Sequence, residues 1–229
     1  MTVFNIEKGI DGLFSALFIS FTEKRLPVKV VCENPVQERI GFNTIRIETD
    51  YQRSERVGKA LKQYGGNELL NKVKLCLLSK DERAFTAAFN VAYLTLFNRR
   101  DISTNTANEK IAEFVYIEDK VNREKIRLSK TLQFFETDSG VLYAPLSPDS
   151  DLADVLALQF YKRFEKLPFV IHDIKRGRVA ASNGYTLYFT DTPIKLNLLK
   201  LKDQKQFDEL WKKCYREILL KEKRRRISR

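Results

Sequence analysis

The apolar residues of this chain change their period near residue 130, and that change limits the fold more than any other feature. Before it they recur at intervals of three and four: Leu13, Leu17, Phe18 and Phe21; Leu69, Leu70, Val73 and Leu77; Phe85, Phe89, Val91, Ala92 and Leu96. This spacing puts side chains on one face of a helix. The longest such pattern, Ile111, Phe114, Val115, Ile117, Val121 and Leu128, has a strongly charged opposite face. After it, TLQFFET, VLYAPL, FVIHDI, RVAAS and YTLYFT are short segments that alternate or run apolar, as strands do. One helical pattern interrupts them, Leu152, Val155, Leu156, Gln159, Phe160 and Phe164, and another, Phe207, Leu210, Trp211, Cys214 and Ile218, closes the chain.

Punctuation supports the same division. TVFNI and residues 39–48 predict strands ahead of the helices. Thr49 or Asp50 can cap a helix through Val57 and Leu61 that ends at Gly65-Gly66. Residues 98–108 lose apolar periodicity and predict a loop, and Asp138-Ser139-Gly140 predicts a hairpin turn. Ser150 or Asp151 is the expected cap of the helix inside the strand region, and Lys175-Arg176-Gly177 and Asn183-Gly184 separate the last strands. Helices first, then hairpins, predict an α+β fold: a helix-rich half, about 1–130, packed with an antiparallel sheet of hairpins around one helix, about 131–220, ending in a C-terminal helix. The expectation is a single domain followed by a basic tail, 221–229. Regular βαβ alternation is absent, which argues against a doubly wound sheet.

Charge narrows the partners. Lys and Arg number 41 against 30 Asp and Glu, a net +11, and the tail KEKRRRISR alone carries +5. Such an excess favours polyanions, DNA or RNA foremost. Cys32, Cys76 and Cys214 are scattered and the chain has one histidine, so neither a metal centre nor another cofactor is expected. No phosphate-cradling GxxxxGK[ST] or GxGxxG loop and no GxSxG elbow occurs. The N-terminal residues lack the pattern of a signal peptide and no apolar run reaches membrane-spanning length, so no membrane association is expected and the cytoplasm is the expected compartment.

The lone histidine, His172, stands beside Asp173 at the end of a strand. Three readings are open: a structural strand-end residue, a phosphate or base contact, and a catalytic base oriented by a carboxylate. Neighbours along a strand point to opposite faces, so His172 and Asp173 are not expected to bond to each other. Lys175, Arg176 and Arg178 form a basic turn suited to phosphate oxygens, with a solvated hairpin as the bland alternative. Lys125, Arg127 and Lys130 on the long helix, and Lys162, Arg163 and Lys166 on the next, suit either a phosphate track or a wet helix face. Arg224, Arg225 and Arg226 form a basic arm or a solubilising end. Tyr143, Tyr161, Tyr185 and Tyr188 can stack on unpaired bases or pack across strands.

The order of these elements resembles an uncharacterised bacterial family of "probable DNA metabolism proteins". The N-terminal strand followed by IDGLFSALFISFTEKRLP is similar to that family's opening. Residues 132–135, 142–148, 160–164 and 170–176 are similar to its F-R-F-like strand, its "lyyA-x-x-x-P" hairpin, its "F-x-x-R-F" helix end and its "vIhD-x-kR" strand. The likeness runs from Val3 to about Arg216. Members are encoded beside a DNA-repair radical SAM protein, and elsewhere a similar domain is fused to a uracil-DNA glycosylase-like domain. The resemblance therefore implies DNA repair or modification, with DNA and the radical SAM protein as partners. It also implies histidines where this chain has Glu124-Lys125-Ile126-Arg127 and Asp149-Ser150-Asp151. Their loss favours an accessory DNA-binding protein over a nuclease or lesion-processing enzyme built on His172, or a scaffold without DNA binding. The expected property is salt-sensitive DNA binding that weakens when Lys175, Arg176 and Arg178 become alanine.

Overall fold

The computed structural model describes residues 1–32, 41–136 and 140–191, and the chain divides into two compact units, Met1–Arg123 and Glu124–Arg229. The expected C-terminal helix and basic tail lie outside the described residues.

The first unit contains strand β1 (Thr2–Ile6), helix α1 (Ile10–Thr22), strands β2 (Lys29–Val31) and β3 (Asn43–Ile47), and helices α2 (Tyr51–Cys76) and α3 (Ala84–Asn98). β1 is the central strand, with β2 and β3 on either side and both parallel to it. The outer edge of β2 is sealed by a side chain: Thr86 Oγ1 accepts from Val30 N (3.0 Å) and donates to Val30 O (3.2 Å). Phe4, Leu13, Leu17, Leu61, Leu69, Phe89 and Phe114 form the core. Asp50 caps α2 as expected, accepting from Gln52 N and Arg53 N at 3.0 Å. The paired glycines divide α2 into two helical segments, as expected: Gly66 takes φ +74 and ψ 177, outside the helical region and closed to most residues, and a second segment runs on to Cys76.

Helix α4 (Glu109–Thr131) crosses the division, with Ile111, Phe114 and Ile117 in the first core. The second unit continues with β4 (Phe135–Glu136), β5 (Leu142–Leu146), α5 (Ala153–Arg163), β6 (Phe169–Asp173), β7 (Arg178–Ser182) and β8 (Leu187–Asp191), in sheet order β4-β5-β6-β7-β8. Phe134, Phe160, Phe164 and Phe169 pack edge-on and stacked beneath it, with centroids 4.8–6.3 Å apart. Among the described residues no helix is long and apolar enough to cross a membrane.

The α+β class holds, with one correction. The second sheet is mixed rather than antiparallel, because β5 and β6 are parallel while the other pairs are antiparallel. A parallel pair needs a crossover that returns the chain to the same end, and α5 supplies it. A second correction concerns the start of α5. It follows Leu152 without a capping side chain, so neither Ser150 nor Asp151 caps it.

Candidate functional site

β6 is the central strand of the second sheet, and all five of its residues are buried. A strand covered on both faces places neighbouring side chains in separate interior environments. His172 and Asp173 follow that rule. His172 Nδ1 lies 3.2 Å from the Tyr143 hydroxyl, and its Nε2 has no hydrogen-bond partner among the described residues. Burial pushes the imidazole pKa down to about 4, a shift that the Asp173 charge only partly opposes. Asp173 instead faces the turn that follows. Its Oδ1 accepts from Lys175 N (3.0 Å) and Arg176 N (3.2 Å), and its Oδ2 from Arg176 Nη1 (2.8 Å). No hydrogen bond joins the two side chains, so the pair is not a base with its orienting carboxylate.

The basic turn is equally occupied. Besides Asp173, the Arg176 guanidinium donates to the carbonyls of Pro148 (3.0 Å) and Asp149. The N–H groups of the same segment go the other way: Glu124 accepts from Asp149 N (2.7 Å) and Ser150 N (3.0 Å). The loop before α5 thus has its donors satisfied by one acid and its acceptors by one arginine, which leaves little freedom to the backbone. Glu124 and the Asp149-Ser150 turn, 25 and 26 positions apart in sequence, thus meet here. Arg178 grips Asp154 bidentately (3.0 and 2.7 Å) and Asp191 at 3.0 Å, and the Asp154 carboxylate raises its already high pKa. Lys175 lies 3.5 Å from Asp149, with both side chains about half exposed.

Other cations are placed differently. Lys162, Arg163 and Lys166 at the end of α5 are exposed and pair with no carboxylate among the described residues, although Arg163 lies 5.9 Å over the Phe160 ring. Arg127 and Lys130 are exposed on α4 and Lys125 is half-buried. Arg224, Arg225 and Arg226 lie outside the described residues. Among the described residues no cluster of His, Cys, Asp or Glu could hold a metal ion.

The tyrosines separate in the same way. Tyr143 is buried against His172, at 4% exposure, whereas Tyr185 is 74% exposed at the tip of the β7–β8 hairpin. That hairpin abuts the end of α5: the Tyr161 hydroxyl donates to the Tyr185 carbonyl (2.6 Å), and a Cβ on Gly184 would overlap the Lys166 carbonyl. Gly184 also holds φ +88, a conformation that L side chains rarely adopt. Gly184→Ala is therefore expected to destabilise the second unit by about 2 kcal/mol, read as a lower urea midpoint at unchanged slope.

Sequence reasoning missed the roles of Glu124, Asp154 and Asp191. Each is an ordinary surface acid by spacing, and its partner lies in a different element.

Residues 82–228 match the model of a family described as a domain of unknown function, DUF4130. No curated protein matches the chain.

Proposed function

We propose that this chain, which belongs to the DUF4130 family by a match over more than half its length, is an accessory DNA-binding protein acting in repair or modification, with the chemistry carried by a radical SAM partner. The observation that carries this reading is the division among its cations. Arg176 and Arg178 are engaged by carboxylates and carbonyls of their own unit, whereas Lys162, Arg163 and Lys166 are exposed and, among the described residues, pair with no carboxylate. Cations held inside a fold contribute little to an external phosphate, while exposed ones bind it by releasing counterions. The burial of His172, and the loop clamped between Glu124 and Arg176, further favour an accessory role over catalysis at that position.

A salt titration of duplex binding tests the proposal. The logarithm of affinity should fall linearly with that of salt, at roughly −0.9 for each phosphate contacted. Replacing Lys162, Arg163 and Lys166 together by alanine should flatten the slope by about 2 to 3 and weaken binding, without lowering the melting temperature. Binding that is absent at low salt would refute the reading. Co-purification with the radical SAM protein before and after nuclease digestion tests the partner.

A further inference from the structure

The β7–β8 turn fixes its backbone at several points and gives one ring to solvent. Asn183 N–H donates to Thr186 O (3.3 Å), and Asn183 Oδ1 accepts from Tyr185 N (2.9 Å) and Thr186 N (2.8 Å). The Ser182 hydroxyl accepts from Gly184 N (3.0 Å), and Tyr161 on α5 holds the Tyr185 carbonyl from outside the hairpin. Gly184 lets the turn close onto the Lys166 backbone with no side chain between them. A turn built this firmly has no need of the Tyr185 ring, which stacks on no other ring among the described residues and remains 74% exposed. The adjoining segment is the one that carries the exposed Lys162, Arg163 and Lys166.

We infer that Tyr185 is a stacking platform for an unpaired base, so that the protein prefers single-stranded or locally opened DNA to intact duplex. The inference rests on the DNA-binding reading above and deepens it. An aromatic face accepts any base, and a ring on a pre-ordered turn loses little freedom on binding. Bases in a duplex already stack on both faces and leave nothing for the ring to cover. The neighbouring cations serve the backbone of either form, while Tyr185 serves only the opened one.

The test uses the full chain with one oligonucleotide, single-stranded and as its duplex, followed by fluorescence anisotropy. Tyr185→Ala should weaken single-strand binding about tenfold while duplex affinity and both salt slopes stay as they were. Tyr185→Phe should retain the wild-type preference. Quenching of a 2-aminopurine base in the single strand should be lost in Tyr185→Ala and kept in Tyr185→Phe. The double variant Lys162→Ala, Lys166→Ala should instead weaken both forms and flatten both slopes. If Tyr185→Ala weakens both forms equally, or neither, stacking is refuted and the DNA-binding reading stands. If the wild-type protein binds neither form, both fail.

Discussion

Arg176→Ala is expected to destabilise the second unit by about 3–5 kcal/mol, the range for removing one partner of a buried ion pair. The Asp173 carboxylate is fully buried, and the guanidinium supplies its only cationic contact among the described residues, at 2.8 Å. Alanine would leave that charge with two backbone N–H donors alone. It would also strip the Pro148 and Asp149 carbonyls of this donor and so loosen the loop before α5. Lys175→Ala next door should cost well under 1 kcal/mol, since its pair with Asp149 is half exposed and 3.5 Å long. Urea unfolding of the two variants separates these expectations. Asp173→Asn in the Arg176→Ala background should recover part of the loss, because an amide needs no counter-charge. Equal stability of Arg176→Ala and Lys175→Ala would show that the buried pair contributes nothing of this kind.

That result bears on how DNA binding is to be tested. Alanine at Lys175, Arg176 and Arg178 together would weaken binding whether or not the turn touches DNA, because two of the three substitutions remove contacts that hold the second unit together. Substitutions at Lys162, Arg163 and Lys166 remove charge from an exposed surface and leave the internal pairs intact.

The fold was legible wherever the signal is local. Helical spacing located α1, α3 and α4, Asp50 announced its cap, and alternation with Gly-containing turns located β6, β7 and β8. Strand direction was not legible, since alternation is the same in parallel and antiparallel neighbours. β2, three residues long, carries too little pattern to register. The partners of the basic turn were not legible for a related reason. Lys-Arg-Gly-Arg in a turn looks like an exposed cation cluster, yet the acids that engage Arg178 lie 24 positions before it and 13 after. Spacing could not distinguish Tyr143 from Tyr185 either, because both lie in strand-and-turn sequence and only the sheet decides which one is covered.

Acidification is expected to weaken the second unit through a single group, because His172 is the chain's only histidine. Its folded pKa is about 4 against the ordinary 6.5. The unfolded chain therefore takes up a proton first as the pH falls, and stability declines with it. The loss begins near pH 6.5, reaches about 2 kcal/mol at pH 5 and about 3 kcal/mol at pH 4, and levels off below the folded pKa. Geometry gives the same sign. A neutral ring can meet the Tyr143 hydroxyl through Nδ1 and leave Nε2 as a bare acceptor, the cheaper of the two orphans. Protonation would put an N–H on Nε2, where no acceptor stands among the described residues. His172→Asn, which keeps a polar group near the Tyr143 hydroxyl and cannot titrate, should flatten the urea midpoint between pH 6.5 and 5 while the wild type declines. That interval lies above the ordinary carboxylate range, so the comparison there reads the histidine. A variant whose profile runs parallel to the wild type down to pH 5 would mean that protonated His172 is accommodated, and the strand's burial would not be holding the ring neutral.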